Sequence, residues 1–100
     1  MAQPFVSSEL PTLIVGGVSY LNVTSSVLVK SGGGYCVGIF VASASSSPTI
    51  KLWDQTSAAT PVLVNTFTPF AGTWYPIPFR FTNGLFITIG GTVDCTVSYN

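Results

Sequence analysis

The sequence predicts an all-β protein, built as an antiparallel sandwich or barrel of seven to eight short strands. Apolar and polar residues alternate with a period of two along most of the chain, as on strands with one buried face. Glycine, proline and small polar residues interrupt this alternation at roughly 8–12-residue intervals. Every window with helical spacing also contains glycine, proline or clustered β-branched residues, so no helix is expected.

The C-terminal segment has the clearest alternation. Apolar side chains occupy every second position of residues 92–99 and again of residues 85–89. Gly90-Gly91 lies between the two runs, which is typical of a two-residue hairpin turn. The sequence therefore predicts a C-terminal hairpin.

The same reasoning places the earlier strands. They are predicted over residues 12–15, 23–30, 35–42, 49–54, 62–67 and 73–78. The strand at 35–42 is nearly continuous in apolar residues and is expected to be central and buried on both faces. Polar or glycine-rich loops separate the strands, including one over 43–48. Prolines at 61, 69, 76 and 78 restrict their segments to edges or strand ends, because proline cannot donate to a ladder.

Residues 11–100 are predicted to form one domain, near the lower end of the usual size range. Residues 1–10 differ in composition, with Pro4, a lone Phe5 and small polar residues. Two interpretations stay open. The segment is either a disordered tail or an extended arm that lies on a neighbouring subunit through Phe5 and Val6.

Charge is nearly absent from this chain. Three basic residues, three acidic residues and no histidine give a net charge of zero. The chain therefore has almost none of the side chains that acid–base catalysis, a metal centre or phosphate recognition would need. Nucleic-acid binding would need a basic face. The sequence therefore predicts a protein with no catalytic residues, no cofactor and no metal. Its net charge of zero favours a protein that functions as part of a larger assembly.

The remaining polar and thiol candidates have structural interpretations. Asp54 precedes a turn, where aspartate side chains commonly accept backbone N–H bonds. Cys36 and Cys95 are expected to be buried free thiols, with a disulfide as the alternative. The longest apolar run, residues 36–42, is far shorter than the roughly 18 residues of a membrane span. The N-terminus lacks a secretory signal, so synthesis in the cytoplasm is expected.

Aromatic residues form the most promising functional set. Eight of them fall between Trp53 and Phe86, and neighbours such as Trp74 and Tyr75 must point to opposite faces of a strand. The candidate interface residues are Phe5, Trp53, Phe70, Trp74, Tyr75 and Phe79. A subunit interface is favoured, while ordinary core packing and a sugar-stacking platform are the alternatives.

The C-terminal half carries four characteristic segments. They are Phe67-Thr68-Pro69, Gly72-Thr73-Trp74-Tyr75-Pro76-Ile77-Pro78, Phe81-Thr82-Asn83-Gly84-Leu85 and the run from Gly91 to Tyr99. In these segments the chain resembles small virion proteins of tailed bacteriophages. The resemblance implies a jelly-roll-like sandwich without enzymatic activity. The implied function is a capsid decoration (cement) protein, a homotrimer that binds the major capsid protein on the outer virion surface. The alternative is a carbohydrate- or receptor-binding module of a phage tail or head fibre.

Overall fold

The computed structural model describes residues 18–100, and all of its regular elements are strands. The seven strands are β1 (Ser19–Val23), β2 (Val27–Ser31), β3 (Gly34–Trp53), β4 (Val62–Phe67), β5 (Thr73–Pro76), β6 (Arg80–Phe81) and β7 (Gly84–Tyr99). They form one antiparallel sheet, which confirms the all-β prediction. The jelly-roll-like sandwich stays a prediction. The arm at 1–10 and the strand at 12–15 lie outside the described residues.

Two long strands, β3 and β7, form the centre of the sheet. They pair antiparallel from Cys36 opposite Tyr99 to Trp53 opposite Phe86. The shorter strands flank this ribbon. β1 and β2 pair successive parts of β7, while β5, β6 and β4 pair β3. The sheet therefore has two halves. The β1 half consists of β1 and β5 together with the end of β7 and the start of β3. The β2 half consists of β2 and β4 together with the start of β7 and the end of β3.

The two halves meet at an irregularity in the ribbon. The register shifts between Ser45 and Thr49 of β3, opposite the Gly90–Thr92 segment of β7. Ser46 and Ser47 have positive φ angles of 60° and 58°, which non-glycine residues rarely adopt. The predicted hairpin at Gly90-Gly91 and the predicted loop at 43–48 are therefore wrong. Both segments continue as strand, and their glycine and serine residues form a bulge instead of a turn.

Both ends of β3 reach the same short segment of chain. At its start, Gly34 pairs with Phe81, and Tyr35 exchanges two backbone hydrogen bonds with Asn100. Just beyond its end, Asp54 accepts hydrogen bonds from the backbone of Thr82 and Asn83. A straight 20-residue strand would hold its ends roughly 65 Å apart. The ribbon therefore doubles back, and the contacts of residues 80–84 tie its two ends together.

The core lies on one face of the ribbon and includes side chains from both halves. β3 contributes Ile39, Val41, Ile50 and Leu52 at alternating positions within each half, as a strand with one buried face requires. The other buried apolar residues are Val23, Val29, Cys36, Ile77, Phe81, Leu85, Ile87, Val93, Cys95 and Val97. Phe81 is fully buried, so the segment that ties the ribbon ends also fills the core between them.

Two further strand predictions need correction. The strand predicted over 23–30 is broken at 24–26, which separates β1 from β2. The strand at 35–42 is central, but it is not buried on both faces, because Tyr35 and Phe40 are exposed. In contrast, β4 has the predicted bounds. Among residues 18–100 no helix is long and apolar enough to cross a bilayer.

Among residues 18–100, β4 lies at an edge of the sheet. It is uncharged and largely apolar, which is a hazard for unwanted strand pairing. Its register against β3 shifts twice within six residues. The Asn65 side chain also accepts a hydrogen bond from the backbone N–H of Thr66 at 2.7 Å. Bulges and an occupied donor both make an edge a poor template for a further strand.

Candidate docking face

The outward side of the β1 half carries a row of polar and aromatic residues. Thr96 of β7 pairs with Phe40 of β3 and with Asn22 of β1, while Phe40 also pairs with Trp74 of β5. Directly opposed residues of antiparallel strands point to the same face. These four side chains therefore form one continuous row across four strands, on the side away from the core.

Two tyrosines extend this row into a patch. Tyr20 pairs with Ser98 and Tyr35 with Arg80, and both tyrosines have the outward orientation. We call the four exposed aromatic residues of this surface the aromatic face. They are Tyr20 (74% exposed), Tyr35 (51%), Phe40 (43%) and Trp74 (46%).

Trp74 lies against the sheet because Gly38 leaves room for it. A Cβ atom at Gly38 would come within 2.6 Å of the Trp74 ring and of the Tyr75 carbonyl oxygen. Gly38 itself is buried although it faces outward. The indole therefore covers Gly38 directly, and the backbone of β3 limits the positions that the ring can take.

Polar groups accompany the aromatic face. The Asn22 side-chain amide donates to the Asp94 carboxylate at 2.9 Å and to the Cys95 carbonyl at 3.0 Å. These bonds fix Asn22 beside Thr96. At the other end, the Arg80 guanidinium lies 5.5 Å from the centre of the Tyr35 ring, within cation–π range. The face thus presents exposed rings next to oriented hydrogen-bonding groups.

The outward side of the β2 half differs. We call its row of Leu28, Phe86, Trp53 and Val62 the Trp53 face, since these residues oppose one another across the strands. The Trp53 indole N–H donates to the Thr88 hydroxyl at 2.8 Å. The Lys51 ammonium lies 4.2 Å from the centre of the same ring. Trp53 is only partly exposed, and its polar atom is already satisfied.

The structure separates the six predicted interface residues. Trp53 belongs to the Trp53 face and Trp74 to the aromatic face. Tyr75 points toward the core, and its ring packs tilted against that of Phe67, with the ring centroids 5.1 Å apart. Its hydroxyl accepts a hydrogen bond from the Phe70 backbone N–H. Phe70 and Phe79 are exposed on the segments that flank β5, and Phe5 lies outside the described residues.

Sequence reasoning missed Tyr20, Tyr35 and Phe40. Tyr20 precedes the strand predicted at 23–30, and the other two lie in the segment expected to be buried on both faces. Their face depends on the bulge between Cys36 and Gly38, which shifts the alternation by one residue. The Gly38 that lies under Trp74 would have been the one local signal, because glycine within a strand often marks close approach.

Asp54 forms a clamp on the turn between β6 and β7. Its carboxylate accepts the backbone N–H groups of Thr82, Asn83 and Gly84, at 2.9, 2.8 and 3.4 Å for Oδ1. Desolvation raises the pKa of this carboxyl, but these hydrogen bonds outweigh it and hold the pKa below its usual value. The sequence predicted that Asp54 accepts backbone N–H groups, yet the donors belong to a distant turn and not to Gln55–Ser57.

The two cysteines are free and buried, as predicted. Burial raises the pKa of Cys36 to about 12. Burial and the neighbouring Asp94 charge raise the pKa of Cys95 to about 11. Both thiols are therefore protonated at neutral pH and poor nucleophiles. In residues 18–100 no cluster of three His, Cys, Asp or Glu side chains is placed to hold a metal ion.

Comparison with known proteins gives no match. No family model, curated protein or solved structure matches this chain. The functional argument therefore depends on the aromatic face and on the sequence motifs.

Proposed function

We propose that this chain is a non-enzymatic virion structural protein that attaches to the major capsid protein through the aromatic face, as a decoration protein does. The single observation that supports this most is the exposure of four aromatic rings on one side of a tightly hydrogen-bonded sheet. Aromatic residues are enriched in the buried centres of protein interfaces. The resemblance of the C-terminal motifs to phage virion proteins supports the choice of partner.

The area of the aromatic face fits a docking role. From their exposed fractions, the four rings present on the order of 400 Å². A standard interface buries roughly 800 Å² per partner, so these rings would form its centre and the surrounding Ser and Thr side chains its rim. Because Trp74 already lies against Gly38, its ring loses little side-chain entropy on association.

Attachment of this kind depends little on charge. The chain has a net charge of zero and six charged residues in all, so apolar burial at about 25 cal/mol per Å² supplies most of the attraction. A cement protein with such a surface adds buried area across the joints between capsid subunits. The proposed homotrimer is tested separately, by light scattering of the purified chain.

The test is re-addition of the chain to capsids that lack it, purified from the phage that encodes it. We expect wild type to bind at saturable occupancy and Trp74→Ala to bind much more weakly. Val62→Ser, a partly exposed position of the Trp53 face, is the matched control and should bind like wild type. Equal binding by all three proteins would show that the aromatic face is not the docking site. If wild type did not bind, the capsid would be ruled out as the partner.

A second candidate function is carbohydrate or receptor binding by the same face. The observation that favours it is the fixed pair of Asn22 and Asp94 beside the exposed rings. Sugars stack their C–H surfaces on aromatic rings and hydrogen-bond to amide and carboxylate groups through their hydroxyls. A glycan array with wild type, Trp74→Ala and Asn22→Ala tests this. Binding that both substitutions abolish supports it, and an array without signal contradicts it.

A further inference from the structure

The only Asn-Gly dipeptide of the chain lies in the turn between β6 and β7. It consists of Asn83 and Gly84. Asparagine followed by glycine is the pair most prone to deamidation, because glycine has no side chain to shield the next backbone nitrogen and is conformationally free. Asn83 is exposed to water. By composition and exposure alone, this site should react.

The reaction needs only water. The backbone nitrogen of Gly84 loses its proton and attacks Cγ of the Asn83 side chain. A new N–C bond forms, the bond between Cγ and the side-chain nitrogen breaks, and ammonia leaves. Water then opens the cyclic imide to give an aspartate or an isoaspartate at position 83, and no oxidation or reduction occurs.

The Asp54 clamp engages the reacting groups. The Gly84 nitrogen, the nucleophile, donates to the Asp54 carboxylate at 3.4 Å. The Asn83 side-chain nitrogen, the leaving group, donates to the Asp54 backbone carbonyl at 3.3 Å. The Asn83 backbone is held on both sides, by its own N–H to Asp54 at 2.8 Å and by its carbonyl, which accepts from Gly32 at 3.1 Å.

Electrostatics act in the same direction as geometry. A deprotonated amide nitrogen at Gly84 would be an anion beside the anionic carboxylate of Asp54, and like charges a few ångströms apart repel. Gly84 is also buried and paired with Ser31 in the sheet. Attack on Asn83 therefore requires that the clamp opens first.

We propose that Asn83 is a latent deamidation site that the Asp54 clamp keeps unreactive. Reaction would replace the side-chain N–H donor with a carboxylate and place a second negative charge against Asp54. The contact that ties the end of β3 to the β6–β7 turn would then weaken. A single slow opening thus converts a closed turn into an open one irreversibly, independently of what the aromatic face binds.

The experiment follows deamidation in the full-length chain at neutral pH by mass spectrometry. Trypsin cuts after Arg80 and releases residues 81–100, in which fragment ions locate the mass gain at Asn83. We expect folded wild type to react at least about tenfold more slowly than the chain held unfolded in urea, because reaction waits for local opening. Equal rates for the folded and unfolded chain would overturn the proposal.

Two variants test the clamp itself. Asp54→Ala should react faster at Asn83 than wild type, and Asp54→Asn, which keeps an oxygen acceptor without the charge, should fall between them. Asn65, exposed in β4 and followed by threonine, is the internal control and should keep its rate in all three proteins. If Asp54→Ala accelerates deamidation at both Asn83 and Asn65, the variant has lost general stability. The Asp54→Asn variant then provides the test of the clamp. An Asn83 rate in Asp54→Asn equal to that of wild type contradicts the proposal.

Discussion

The two outward faces share the long strands β3 and β7, but their tryptophans are packed differently. Trp53 donates its indole N–H to Thr88 and is covered by Lys51. Trp74 lies over Gly38 and keeps 46% of its surface exposed, on the same face as three other exposed rings. Trp53 therefore has both its hydrogen-bond partner and its cation–π partner within the chain. Within residues 18–100 no segment covers the aromatic face, and large exposed apolar patches usually mark interaction sites.

The comparison predicts the largest stability effect at Trp53. Trp53→Ala removes a partly buried ring, a hydrogen bond and the lysine contact, so we expect a loss of about 2–3 kcal/mol in the free energy of unfolding. Urea denaturation measures it. Trp74→Ala should lose less than about 1 kcal/mol in the same assay, because its ring is more exposed. Equal losses would mean that the two faces do not differ in this way.

The next largest effect concerns binding. Trp74→Ala should weaken capsid attachment by about 2 kcal/mol, roughly 30-fold, as the loss of a central aromatic residue of an interface does. A titration of occupancy on capsids gives the value. Thr88→Ala, which changes the Trp53 face, should leave occupancy unchanged. An equal loss of occupancy in Thr88→Ala would mean that docking is not specific to the aromatic face.

Gly38→Ala tests whether the sheet positions the Trp74 ring. The new Cβ would lie within 2.6 Å of the ring and of the Tyr75 carbonyl. The ring must move, and we expect a loss of about 1–2 kcal/mol in stability. The fluorescence emission of Trp74 should also shift toward that of a solvated indole. An unchanged spectrum with unchanged stability would show that Trp74 does not depend on Gly38.

Asp54 gives a smaller effect that depends on pH. Its pKa is lowered in the folded chain by the Asn83, Thr82 and Gly84 N–H groups. The ionised clamp therefore stabilises the fold above the unfolded pKa of about 3.9, and this contribution is lost as the pH falls through the lower folded value. We expect it to be below about 1 kcal/mol, since the carboxylate is solvent-accessible.

Asp54→Asn checks this pH dependence. Unfolding measured between neutral and acidic pH should lose less stability in the variant than in wild type. The two proteins should converge at the acidic end, where the wild-type carboxylate is protonated as well. A wild-type curve that stays flat over the acidic range would contradict the lowered pKa.

The smallest effect is expected from salt. Attachment through the aromatic face should change less than about twofold between low and high ionic strength, because few charges take part. Capsid occupancy measured over a salt series tests this. A steep loss at high salt would indicate that charged residues such as Arg80, beside Tyr35, dominate the contact.

The sequence predicted those parts of the fold that depend on local alternation. The all-β class, the bounds of β4 and the buried state of both cysteines follow from apolar periodicity. The hairpin at Gly90-Gly91 failed because two glycines permit either a turn or a bulge. What decides is the pairing of these residues with the Ser45–Thr49 segment, a contact between distant parts of the chain that local pattern cannot reveal.

The candidate site was predictable only in part. Trp74 was recognised because an aromatic pair on one strand must expose one ring. Phe40 and Tyr35 were not, since the bulge at Cys36 changes which residues of β3 face the core. Trp53 was expected in the same surface as Trp74, yet it belongs to the other half of the ribbon. The sequence predicted that aromatic residues form the interface, and the register decides which of them are exposed together.

The most direct test of the central claim is oxidative footprinting of the free chain and of the chain added to the capsids that we propose as its partner. Labelling of Trp74 and Trp53 is quantified by mass spectrometry in both states. Our account predicts strong protection of Trp74, together with Tyr20 and Phe40, and unchanged labelling of Trp53. Protection of Trp53 with continued labelling of Trp74 would contradict it and place the docking surface on the β2 half.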